Sequence, residues 1–140
     1  MILKIKKLHL DAKVPSYAHH DDAGFDLYAV KDTLVKKGER IAVPTGIAME
    51  IPEGYVGLVW DKSGIGIKEG IKTLGGVVDS AYRGEVLVGM INLSEKDYIF
   101  EKGHKVAQMI IQKKETVDFQ EVEDLSDTTR GQKGFGSTGK

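Results

Sequence analysis

This 140-residue sequence predicts an all-β fold, a sandwich or barrel of short strands with one short helix. Three observations carry that expectation. Short apolar or alternating runs recur along the chain, several of them closed by a glycine- or proline-containing turn. Glycine is abundant and proline scarce, 17 against three, which suits many tight turns between strands. Helical periodicity is confined to a single stretch.

The elements follow in chain order. Ile2 to Leu8 is a short apolar–cationic strand. Arg40-Ile41-Ala42-Val43 leads into a turn at Pro44-Thr45-Gly46, and Ile47 to Ile51 then alternates. Pro52-Glu53-Gly54 is the next turn, followed by a strand from Tyr55 to Trp60. Ser63 to Glu69 is the helix, with Ser63 as its N-cap. Gly75 to Glu85 has the pattern of a hairpin with its turn near Asp79 to Gly84. Val86–Leu93 and Val106–Gln112 are apolar on both faces and read as central strands. Thr116-Val117-Asp118-Phe119 is a candidate last strand. Beyond it come an acidic run, Glu121 to Asp127, and a glycine-rich tail.

Composition narrows the function. Apolar residues at 41% and charged residues at 29% are ordinary globular values, so one domain with a real core is expected. A formal net charge of −1 argues against a generally basic surface for nucleic acid or membranes. The absence of cysteine excludes disulfides, thiolate catalysis and thiolate metal sites. No apolar run reaches transmembrane length, and lysines interrupt MILKIKKLHL too often for a signal peptide. The expectation is a soluble protein of the cytoplasm, or of the nucleus in a eukaryotic or viral setting.

Five stretches have the residue types for chemistry. The tail contains Gly134-x-Gly136-x-x-Gly139, but no βαβ unit surrounds it, so a dinucleotide fold is discarded. Its glycine N–H groups, Ser137, Thr138, Arg130 and Lys133 still suit phosphate, and Phe135 suits a base, although composition alone favours a disordered solubilising tail. Asp61-Lys62-Ser63-Gly64 places a cation and a hydroxyl at a helix start, which is either an anion site or a plain cap. Asp79 ends an apolar strand, as a general base or an Asx turn. His19-His20-Asp21-Asp22 reads as a solvated turn rather than a metal site. Asp26, between Phe25 and Leu27, needs a partner or a task, and Gln108 in an apolar strand must be satisfied by backbone or ligand.

In order, AGFDL at 23–27, KSG at 62–64, GGVVDSAYRGE at 75–85, GHKVAQMI at 103–110 and RGQKGFGSTG at 130–139 resemble the five motifs of the homotrimeric deoxyuridine triphosphatases, the dUTPase family. The resemblance covers nearly the whole chain. It implies a distorted jelly-roll or β-barrel subunit of the β-clip type over residues 1–125. Residues 126–140 would be a flexible arm closing over an active site. Three sites would lie at subunit interfaces of a homotrimer, each built from all three chains. The implied reaction is Mg²⁺-assisted hydrolysis of dUTP to dUMP and pyrophosphate, which limits uracil in DNA and supplies dUMP for dTMP synthesis. Neither a membrane nor a stable nucleic-acid partner is implied.

The resemblance also implies roles. Asp26 would hold Mg²⁺ through water, and Asp79 would orient and deprotonate the attacking water. Tyr82 would pack on the deoxyribose where a 2′-OH needs room. Backbone around Leu74 to Val78, including Gly76, Val77 and Val78, would read uracil. Ser63, Gly64 and Gln108 would bind phosphate oxygens beside Lys62. Arg130, Ser137 and Thr138 would meet the γ-phosphate, with Phe135 on uracil and Gly136 between them. Lys62 and Lys105 stand where the family commonly has arginine, Ala81 where many members have a second acid, and Thr73 where some have a uracil-binding asparagine. A dCTP deaminase, alone or bifunctional, is the rival on the same fold. It needs a further glutamate, for which Glu85 is the only nearby candidate. A non-catalytic nucleotide-binding regulator is the rival from another class, and Asp79, Tyr82 and the complete tail speak against it.

Overall fold

The computed structural model describes residues 1–134. Among them the chain forms eleven strands and one helix: β1 (Lys4–Lys7), β2 (Phe25–Tyr28), β3 (Thr33–Val35), β4 (Arg40–Pro44), β5 (Ile47–Glu50), β6 (Tyr55–Trp60), α1 (Ser63–Lys68), β7 (Ile71–Leu74), β8 (Val77–Asp79), β9 (Leu87–Asn92), β10 (Tyr98–Phe100) and β11 (Lys105–Lys113). The fold is the expected all-β, jelly-roll-like one. Four antiparallel sheets run β2-β11-β6-β8, β4-β9-β7, β1-β5 and β10-β3. β11 and β9 are interior to their sheets, as their two-sided apolar runs predict.

The strands enclose one core. Phe25, Leu27, Val43, Ile47, Met49, Ile51, Ile71, Val88, Met90, Phe100, Val106 and Met109 are all buried in it. Among the described residues no helix is long and apolar enough to cross a membrane.

Three expectations are corrected. Ser63 is not the N-cap: Lys62 occupies that position, with extended backbone and no side-chain cap bond. The Gly75–Glu85 stretch turns at Asp79, where the Tyr82 N–H donates to the Asp79 carbonyl at 3.1 Å, but it is not a hairpin. β8 pairs with β6, whereas β9 pairs with β4 and β7. The returning chain is drawn off by other partners: the Gly46 N–H donates to Glu85 Oε1 at 2.7 Å, the Val86 N–H to the Ile47 carbonyl at 2.9 Å, and Thr45 Oγ1 to the Val86 carbonyl at 2.6 Å. Finally, residues 116–119 form no strand. That segment is exposed and has no neighbour with which to build a ladder.

Candidate active site

Register places the predicted residues on one sheet face. Across β11, Gln108 lies opposite Asp26 on one side and Trp60 on the other. Across β6, Asp79 lies opposite Val56 and Val77 opposite Leu58. Side chains alternate along a strand, so Val56, Leu58 and Trp60 share a face, and their cross-strand partners share it too. Asp26, Gln108, Trp60, Val77 and Asp79 therefore lie on one side of the sheet. Gly57, Ala107 and Met109 are buried on the other. Four residues along β6 and two strand spacings separate the Asp79 end from the Gln108 end, about 16 Å.

A bulge builds the Gln108 end. The β11 register shifts between Lys105 and Ala107, so Val106 and Ala107 are both buried in succession. That extra residue inverts the alternation and turns Lys105 to the face of Gln108 and Asp26. Asp26 is only 2% exposed. Lys62 Nζ donates to its Oδ1 at 2.5 Å. Lys105 Nζ lies 2.6 Å from Oδ2, without the geometry of a hydrogen bond. Burial pushes the Asp26 carboxyl up, but the close ammonium groups of Lys105 and Lys62 outweigh it and hold the group below the usual carboxylate range. Two ammoniums around one carboxylate leave the cluster a net cation.

Gln108 is satisfied by backbone, its Nε2 donating to the Asp61 carbonyl at 2.9 Å. Gly24 makes room for it: a Cβ there would come within 3.0 Å of Gln108 Oε1. Beside them the α1 amides begin unpaired. The first intrahelical bond is Gly66 N–H to the Lys62 carbonyl, which leaves Ser63, Gly64 and Ile65 without helical partners. Ser63 and Gly64 are exposed, and a Cβ on Gly64 would meet nothing within 4 Å.

At the other end, a hollow of about 240 Å³ is lined by Val77, Val78, Asp79, Tyr82, Glu85 and Leu87, among others. Tyr82 folds back on its own loop, its hydroxyl donating to the Glu85 carbonyl at 2.9 Å. The bare Gly84 lets the ring lie there: a Cβ at that position would run into the Tyr82 hydroxyl and displace the side chain. Between the two ends, β7 crosses to β8 through Gly75 and Gly76, both at positive φ.

His19 to Asp22 is the expected solvated turn, closed by the His19 N–H on Asp22 Oδ2 at 2.8 Å. Arg130 is exposed and donates to the Lys133 carbonyl within the tail. Phe135, Gly136, Ser137 and Thr138 lie outside the described residues. Sequence reasoning missed the Lys105–Asp26 pair. Its signal was the consecutive apolar pair Val106-Ala107, which breaks strand alternation. It also assigned no task to Asp61, whose signal was an acid at a strand-to-helix turn.

Comparison with known proteins adds a second line. The dUTPase family model matches residues 11–139. A deoxyuridine 5'-triphosphate nucleotidohydrolase from Corynebacterium glutamicum is 47% identical over 99% of this chain and 95% of that one. The Staphylococcus bacteriophage 80alpha dUTPase with dUPNHPP superposes with a TM-score of 0.93 at 30% identity, covering 99% and 98% of the two chains. A mutant dUTPase from phage phi11 of S. aureus, described for its coordination of a structural Mg(II) ion, superposes with a TM-score of 0.85 at 24% identity, covering 91% and 100%.

Proposed function

This chain belongs to the dUTPase family, and we propose that its two clusters divide one reaction between phosphate holding and pyrimidine reading. The chain is a dUTP diphosphatase, hydrolysing dUTP to dUMP and pyrophosphate. In this reading Asp79 accepts a proton from the water that attacks the α-phosphorus, and the bond to the bridging oxygen breaks to release pyrophosphate. Ser63, the open Gly64 amide and Gln108 hold phosphate oxygens, with Lys62 and Lys105 supplying charge as points rather than forks. Tyr82 fills the space a 2′-OH would occupy. Backbone groups of Gly76, Val77 and Val78 read uracil, and cytosine's reversed pattern would leave them unpaired.

The residues fit a Mg²⁺ carried mainly by substrate phosphates. Asp26 offers one carboxylate whose oxygens are each paired with an ammonium, Oδ1 with Lys62 and Oδ2 with Lys105, which suits contact with the ion through water rather than direct ligation. Among the described residues no group of three or more acids and histidines forms a cage, and Mg²⁺ commonly needs only one or two carboxylates beside phosphates and water. When bound, the ion neutralises phosphate charge and polarises the α-phosphoryl group. Asp26 would hold it through water.

The observation that carries this reading is the shared sheet face, with its functional ends about 16 Å apart and apolar surface between and around them. Val77 is 69% exposed and Trp60 54%, a patch suited to cover by further copies. The assembly is a homotrimer in which one nucleotide meets the phosphate end of one copy and the pyrimidine end of another. Residues 126–140 of a third close over it, bringing Arg130, Phe135, Gly136, Ser137 and Thr138. The deaminase alternative has less support: its candidate glutamate, Glu85, is engaged at Oε1 by the Gly46 N–H, and the matching family model and relatives are dUTPases.

Pyrophosphate release from dUTP, UTP, dCTP and dTTP with Mg²⁺, measured beside ammonia release from dCTP, tests this reading. Efficient cleavage of dUTP alone is expected. Ammonia from dCTP would assign the chain to the deaminases, and no release from any nucleotide would leave a binding protein.

A further inference from the structure

The crossing from β7 to β8 is tied to β6 at Val59. The Val59 N–H donates to the Gly76 carbonyl at 2.7 Å, and a Cβ on Gly76 would come within 2.8 Å of the Val59 carbonyl oxygen. Just beyond β6, Asp61 Oδ1 accepts both the Thr73 N–H and the Thr73 hydroxyl, each at 2.7 Å, while Lys72 Nζ pairs with Oδ2 at 2.7 Å. Burial raises the Asp61 carboxyl, and Lys72 and Thr73 together bring it below its ordinary value, so the anion is the form held. Thr73 is thereby committed to Asp61 and cannot turn the same hydroxyl proton to a base.

We infer that Asp61 is a positioning residue for pyrimidine selection, latching Thr73 so that the Gly76–Val78 backbone is fixed where it reads the ring. The inference rests on the uracil reading proposed above and adds a residue that touches neither ligand nor reacting atoms. With no side-chain contact from position 73, discrimination depends on how rigidly that backbone is held. A loosened crossing lets the groups facing cytosine rearrange and lowers the penalty for the wrong base.

The test measures kcat and KM for dUTP and dCTP, with melting temperatures, in wild type, Asp61→Asn, Thr73→Val, the double variant and Thr73→Ser. The dUTP-over-dCTP ratio of kcat/KM should fall about tenfold in Asp61→Asn and in Thr73→Val, the weight of one charge-assisted hydrogen bond. Most of the change should lie in KM. The double variant should fall no further than the worse single one, because both changes weaken the same Asp61–Thr73 contact, one by removing its charge and the other its hydroxyl. Thr73→Ser, which keeps the hydroxyl, should retain the wild-type ratio. An unchanged ratio in folded variants, even with lowered melting temperatures, overturns the latch, as do additive losses. Thr73→Val removes a single hydroxyl and keeps the test open if Asp61→Asn does not fold. A wild-type protein inert to dUTP overturns the functional reading and the latch with it. An active wild type beside unchanged variants overturns the latch alone.

Discussion

At Asp26 two opposing effects meet, and their balance sets a pH dependence. Burial disfavours the carboxylate, whereas Lys105 and Lys62 favour it more strongly, so the folded group titrates below its unfolded value. The stabilisation is then complete above about pH 4 and is lost as pH falls through the folded-state pKa. Urea midpoints of wild type should drop more steeply in that acid window than those of Asp26→Asn, which cannot titrate. Parallel curves would contradict the pairing. Asp79→Asn separates binding from chemistry: the nucleotide should still bind while turnover falls by about 10²–10⁴, the usual weight of a general base. Full turnover in that variant would remove Asp79 from the role. At this scale the sequence was legible wherever a side chain's isolation demanded an explanation. A carboxylate between Phe25 and Leu27 needs a partner. Which partner depended on a bulge that inverts the face of Lys105, and bulges are set by the ladder on either side rather than by the residue itself.

Strands of six or more residues could be read because their pattern is their own. β6 and β11 carry enough Val, Ile, Leu and aromatic residues to declare themselves. β3, β7 and β10 are three or four residues long, and stretches such as Lys72-Thr73 resemble loop until a neighbour pairs with them. The opposite error occurs at 116–119, where alternation is present and a partner is not. The β7–β8 crossing lies between these cases. Its glycines signalled a turn, but which strands it joins was fixed by partners distant in sequence. Gly76→Ala tests that crossing as an element. At φ +108, with the Val59 carbonyl in the way, alanine should cost roughly 1–3 kcal/mol of stability. It should also raise KM for dUTP. Wild-type denaturant stability in the variant would mean that the crossing can shift freely.

The whole molecule leaves apolar groups uncovered in the single chain. Phe119 is 95% exposed and Leu125 87%, in a segment that follows the last strand without touching the core. This is the part of the architecture the sequence could announce only through motif resemblance, because periodicity within one chain reports that chain's own core and not what another copy covers. The proposed division of one sheet face into two half-sites has a genetic consequence. Asp79→Asn and Gln108→Ala damage opposite ends of the face, so each homogeneous preparation should be crippled in every site. If the two are unfolded together and refolded as a mixture, some hybrids will join an undamaged end from each parent. Turnover should reappear in the mixture, although neither parent has it. A mixture as inert as its parents would mean that each polypeptide serves its nucleotide alone.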